Sequence, residues 1–164
     1  MTPNEPLGRY WHPVALSDEV QGQPVGRTLL DEQLVLFRAD GRVAALHDLC
    51  VHRGTPLSLG SLHGSNIVCA YHGWTYNGEG VCVRIPSVPP DRAIPEKARV
   101  ASYRAAERYG LVWVCLDEAS SSIPEFPELE DDTQRCALLD DTAASRRGTP
   151  GGDIQLSELL LPAR

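Results

Sequence analysis

Four residues stand out by chemical type and spacing. Cys50-x-His52 and Cys69-x-x-His72 each set one thiol beside one imidazole within a few residues. Each pair can present both groups from one tight loop, and two such loops can grip a metal centre from opposite sides. A binuclear iron–sulfur cluster suits this set, with the thiolates of Cys50 and Cys69 on one iron and the imidazoles of His52 and His72 on the other. Imidazole is neutral where thiolate is anionic. A cluster so ligated carries less negative charge and is easier to reduce, spanning about −150 to +300 mV against about −400 mV for plant-type all-cysteine clusters. Two cysteines and two histidines also suit tetrahedral zinc, although zinc knuckles usually open with two closely spaced cysteines, a habit that Cys-x-His fits poorly. Two buried thiols beside two ordinary histidines are the remaining alternative.

The elements that must position these residues read as strands. The chain has 164 residues, enough for one domain with a real core. Its 42% apolar content is that of globular material, and 14 glycines with 13 prolines favour an all-β domain over a helical bundle. Strands are predicted over 10–16, with Pro13 at an edge, and over 25–30, 33–38, 42–47, 81–85, 100–107 and 111–116. Ala39-Asp40-Gly41, Asn77-Gly78-Glu79-Gly80 and Tyr109-Gly110 supply turn chemistry between them. Pro86, Pro89, Pro90 and Pro95 punctuate an extended loop. No helical period runs long enough for a major helix, and there is no internal repeat. Residues 9–117 are expected to form one all-β domain. Residues 118–164 read as an acidic, proline-rich linker and a disordered tail, with 154–161 either a short amphipathic helix or frayed chain.

The net charge of −7 argues against nucleic acid and against anionic membranes as partners, since either needs a basic patch. It is compatible with a basic partner, but a solvated acidic surface explains it more simply. The N-terminus lacks a basic start followed by an apolar run, and no stretch is apolar enough to span a membrane, so a cytoplasmic protein is expected. Five cysteines in a reducing compartment are then ligands or free thiols rather than a disulfide framework.

The flanks of the four residues carry a resemblance. Cys50-Val51-His52-Arg53-Gly54 and Cys69-Ala70-Tyr71-His72-Gly73-Trp74 resemble the Rieske non-haem iron oxygenases, specifically the N-terminal Rieske domain of their catalytic (alpha) subunit. Tyr10-Trp11-His12-Pro13-Val14, Pro56-Leu57-Ser58 and Tyr109-Gly110-Leu111-Val112-Trp113-Val114 extend the likeness over residues 9–117. The resemblance implies a Rieske fold, an antiparallel sandwich or barrel with a subdomain of two ligand loops. It implies one [2Fe–2S] cluster at a solvent-facing tip, with Cys50 and Cys69 on one iron and His52 and His72 on the other. It also implies an oxidoreductase system of dioxygenase or monooxygenase type, ring-hydroxylating or demethylating, with an electron-donating reductase or ferredoxin as partner.

Two departures separate the chain from respiratory Rieske proteins. The extra cysteine of each loop is absent; Pro56 or a near neighbour and Tyr71 stand in those places. Trp74 replaces a serine that donates to a bridging sulfide, which predicts a potential toward the lower end of the range. An oxygenase also needs mononuclear iron held by two histidines and a carboxylate. No histidine follows His72, and residues 118–164 are too few for a catalytic domain. The chain is therefore expected to carry electrons without activating O₂ alone, and no catalytic residue is assigned. A stand-alone Rieske ferredoxin and a non-redox zinc module are the alternatives.

Among the other residues, Gly54, Gly60 and Gly73 are expected to supply loop geometry. Arg53 either holds its loop or touches a partner. Trp74 packs on the loops rather than relaying electrons. Cys82, Cys115 and Cys136 read as ordinary thiols. His12, His47 and His63 lack partners at ligand spacing, with His47 near enough to Cys50 to support it indirectly.

Overall fold

The structure, a computed structural model, describes residues 7–127. Three tight hairpins organise its larger sheet. β3 (Glu32–Ala39) and β4 (Arg42–His47) are joined by Asp40 and Gly41, whose φ angles are 50° and 77°. Two successive left-handed residues make the turn whose twist matches that of the strands it joins. Tyr109 (φ 59°) and Gly110 (φ 72°) do the same between β9 (Ser102–Arg108) and β10 (Leu111–Cys115). The third turn, Leu30 (φ 50°) and Asp31 (φ 67°), links β2 (Val25–Leu29) to β3 without any glycine. Leucine is unusual there, which is why the predicted strand overruns the turn by one residue.

With β1 (His12–Leu16), these strands form a six-stranded antiparallel sheet in the order β1-β10-β9-β4-β3-β2. The sheet curls until its two edge strands nearly meet. The β1–β10 register shifts between Pro13 and Ala15, and the Val14 carbonyl at that bulge accepts a hydrogen bond of 3.1 Å from Arg27 Nε on β2. Arg27 also pairs with Glu19 at 3.0 Å. A guanidinium thus bridges the seam of a nearly closed barrel.

A second antiparallel sheet holds β5 (Ser61–His63), β6 (Asn66–Val68), β7 (Thr75–Tyr76) and β8 (Cys82–Arg84) in that order. Only β8 is predicted from the sequence; two- and three-residue strands leave too little alternation to detect. β3 is buried on both faces and separates two cores. Leu34 and Leu36 face a barrel core with Val14, Val112 and Val114. Val35 and Phe37 face a second core with Leu57, Ile67, Tyr76, Cys50 and Cys69. Each large side chain so buried contributes roughly 1.5–3 kcal/mol.

The described residues contain two short 3₁₀ turns, Leu7–Arg9 and Leu57–Leu59, and no α-helix. No helix among them is long and apolar enough to cross a membrane. Beyond β10 the chain runs back along its own start, where Asp117 N–H donates to the Gly8 carbonyl and Trp11 Nε1 to the Ser121 carbonyl. Cys136, the rest of the tail expected within 118–164 beyond residue 127, and the helix considered for 154–161 lie outside the described residues.

Candidate metal centre

Both ligand-bearing loops close by the same two hydrogen bonds. In the first, Cys50 N–H donates to the Thr55 carbonyl at 2.8 Å, and Gly54 N–H to the Cys50 carbonyl at 2.9 Å. In the second, Cys69 N–H donates to the Trp74 carbonyl at 2.9 Å, and Gly73 N–H to the Cys69 carbonyl at 3.1 Å. The glycine four residues after each cysteine is left-handed, with φ of 71° at Gly54 and 69° at Gly73. The histidines sit at different offsets in this shared frame, two residues after Cys50 and three after Cys69.

Each loop is anchored from outside. Asp48 accepts from Ser58 N–H at 2.7 Å and from Ser58 Oγ at 2.5 Å, closing the first loop at its base. At Gly60 an added Cβ would meet the Val68 carbonyl at 2.1 Å, so only glycine lets β6 pass. Pro86 packs on the second loop, where a Cβ on Gly73 would lie 3.1 Å from its Cγ.

The four side chains divide into an inner and an outer pair. The thiols are buried, Cys50 at 2% and Cys69 at 3% exposure, and each lies within the electrostatic reach of the other. The imidazoles lie outward, with ring centroids 4.7 Å apart and planes at 61°. His52 is half-buried and stacked on Trp74, at 4.7 Å between centroids and 7° between planes. His72 is exposed and flanked by Tyr71 at 3.8 Å, itself 63% exposed.

The electrostatics suit a cationic centre. Burial pushes the Cys69 thiol up, while the backbone N–H groups of Tyr71 and His72 pull it down by bonding to its sulfur. A thiolate there has waiting donors and lacks only a nearby positive charge. Desolvation, then His72 and Arg53, hold the His52 imidazolium below its usual range, favouring the neutral form that ligates metals.

Tyr76 is a functional candidate that the sequence alone does not reveal. Its hydroxyl lies 3.2 Å from Cys50 Sγ in the core. Burial first, and then Cys50, push its ionisation far above the ordinary phenol range. Against a Cys50 thiolate, which carries no proton, the hydroxyl is the group able to donate. Its position offers one signal, in that it pairs with Ile67 just before Cys69, but nothing local links it to Cys50.

The donor chemistry fits a binuclear cluster with two thiolates on one metal and two imidazoles on the other. Among the described residues no three His, Cys, Asp or Glu side chains converge closely enough to hold a single metal ion.

The remaining candidates lie elsewhere. His47 Nδ1 is 2.6 Å from Glu32 Oε1, whose carboxylate also accepts from the Tyr103 hydroxyl. His12 Nε2 lies 2.9 Å from the Leu7 carbonyl, and His63 is exposed on the β5–β6 hairpin. Cys82 and Cys115 are free, buried thiols, with Cys115 directed at the Gly8 and Asp117 carbonyls.

Comparison with known proteins agrees with this geometry. Residues 10–104 match the family model described as the Rieske [2Fe-2S] domain. The chain is 36% identical over 155 residues to the methylxanthine N1-demethylase NdmA of Pseudomonas putida, covering 87% of this chain and 44% of that protein. It is 42% identical over 130 residues to the phenoxybenzoate dioxygenase subunit alpha of Ectopseudomonas oleovorans, covering 77% and 32%. The solved NdmA structure superposes with a TM-score of 0.73 at 38% identity, covering 78% of this chain and 41% of that one. Dicamba monooxygenase bound to dicamba gives 0.70 at 39% identity, covering 77% and 41%. The chain thus spans less than half the length of these relatives. Its cofactor is a Rieske [2Fe–2S] cluster. The chain belongs to the Rieske [2Fe–2S] domain family, and its relatives include oxygenase subunits.

Proposed function

We propose that this chain is the electron-carrying part of a Rieske-type oxygenase system, with Cys50, Cys69, His52 and His72 as the four cluster ligands. The observation that supports this best is the pairing itself: two interacting thiols in the core and two adjacent imidazoles outward of them. The cluster supplies reversible one-electron chemistry. The chain's residues do the rest. Cys50 and Cys69 hold the inner side away from water. Tyr76 donates to the Cys50 sulfur. Trp74 fixes the plane of the His52 ring. His52 and His72 present the outer edge to partners. The donor is a reductase or ferredoxin, and the acceptor is a mononuclear iron site outside these 164 residues. Whichever protein supplies that iron also selects the substrate, which for the relatives above ranges from methylxanthines to phenoxybenzoate.

The test is elemental and electrochemical. Iron and acid-labile sulfide are expected at two each per chain, with a red-brown chromophore. His72→Cys is expected to lower the potential sharply, because an anionic ligand replaces a neutral one. Zinc in place of iron, or a chromophore that survives intact in Cys69→Ala, overturns the assignment.

A further inference from the structure

The segment that carries both ligand loops, residues 49–90, has more positive than negative side chains in an otherwise acidic chain. From residue 49 to residue 90 the charged side chains are Arg53, Arg84 and Glu79. Arg53 follows His52 directly and acts on it electrostatically. Arg84 pairs in register with Thr75, the residue after Trp74, and Pro86 two positions on packs against Gly73. Both arginines are exposed, and neither joins an ion pair among the described residues. Two arginines of the barrel are committed instead, Arg27 to Glu19 and Arg38 to Glu107 at 2.7 Å. Glu79 lies in the turn beyond Tyr76, away from the second loop, and both oxygens of the nearby Asp48 are taken by Ser58. Leu49, Val51 and Tyr71, next to the ligands in sequence, are exposed, and Tyr71 lies against His72. A small apolar centre beside unneutralised cations is the form of a transient docking face that orients its partner by charge.

We propose that Arg53 and Arg84 make this tip the docking face for an electron-donor protein whose own contact surface is rich in carboxylates. The proposal rests on the electron-carrier reading above. It has content because the whole chain carries −7, which on its own would repel such a donor. A local field must override the net charge at contact distance, where a Debye length of about 8–10 Å lets nearby groups dominate.

The probe is reduced plant-type ferredoxin, an acidic protein whose potential near −400 mV lies below the Rieske range. One electron leaves its cluster and enters that of this chain, with no bond made or broken. Stopped-flow mixing with the full, cluster-loaded chain is expected to give a rate constant that falls about tenfold as salt rises from about 10 to about 300 mM. Arg53→Gln/Arg84→Gln is expected to lose most of the low-salt rate and to flatten the salt dependence. Arg42→Gln, an exposed arginine beside the β3–β4 turn, is expected to keep both. A rate that rises with salt, a double variant that matches the parent, or an Arg42→Gln effect as large as the double variant's overturns the proposal. Iron, sulfide and the visible spectrum are measured first on the same sample, so failure of the cluster assignment is seen separately.

Discussion

The two ligand loops share a backbone and differ in what surrounds them. Both are closed by the same pair of hydrogen bonds and both turn on a left-handed glycine. The first is backed by the Tyr76 hydroxyl, 3.2 Å from the Cys50 sulfur, and by an indole stacked on His52. At the second, Cys69 is served by backbone N–H groups, and its histidine is open to solvent. The two loops thus present their cysteine and histidine pairs on a common frame in different surroundings. The first loop is the sheltered side and the second is the exposed one.

The comparison can be broken most directly at the cysteines. Cys50→Ala and Cys69→Ala are both expected to lose the cluster, since each removes half of one metal's protein ligands and binding is coupled to folding. Iron content and thermal unfolding check this. One variant retaining full iron would show that the loops are not equivalent holders.

The glycines come next. Gly54→Ala and Gly73→Ala each force a left-handed residue, at roughly 1–2 kcal/mol. Gly73→Ala is expected to cost more, because its Cβ meets Pro86 Cγ at 3.1 Å while that of Gly54 meets only Leu49 Cδ1 at 3.9 Å. Denaturant midpoints of the two variants would rank them.

Tyr76→Phe sharpens the difference between the sulfurs. Losing a donor disfavours the more negative reduced state, so the potential is expected to fall by tens of millivolts, about 0.5–1.5 kcal/mol. Voltammetry reads it. The variant has a second signature. The Tyr76 phenol ionises higher in the fold than in the unfolded chain, so its contribution is complete below pH of about 10 and is lost as pH rises beyond that. The phenylalanine variant is expected to lose less stability between neutral and strongly alkaline pH than the parent.

The smallest effects concern the rings. Trp74→Leu is expected to shift the electron paramagnetic resonance g-values of the reduced protein, because the His52 ring loses the plane that orients it. Tyr71→Ala is expected to leave them nearly unchanged, since Tyr71 is largely solvated. Equal shifts would remove the distinction between a sheltered and an exposed histidine.

Much of this molecule is determined by residues close together in the chain. Cys50 with His52, and Cys69 with His72, are each within one loop, so the proposed centre is legible from their types and spacing. Asp40-Gly41 and Tyr109-Gly110 carry left-handed backbone that glycine adopts at little cost, and the hairpins follow. Tertiary structure decides what depends on distant partners. The contact of Tyr76 with Cys50 crosses 26 positions, and Arg27 reaches Val14 only once the sheet has curled. The turn at Leu30-Asp31 runs against local preference and is held by the β2–β3 register. Which histidine is covered is likewise invisible in the motif. It follows from Trp74 of one loop stacking on His52 of the other, a contact that exists only when both loops stand on the folded sheet.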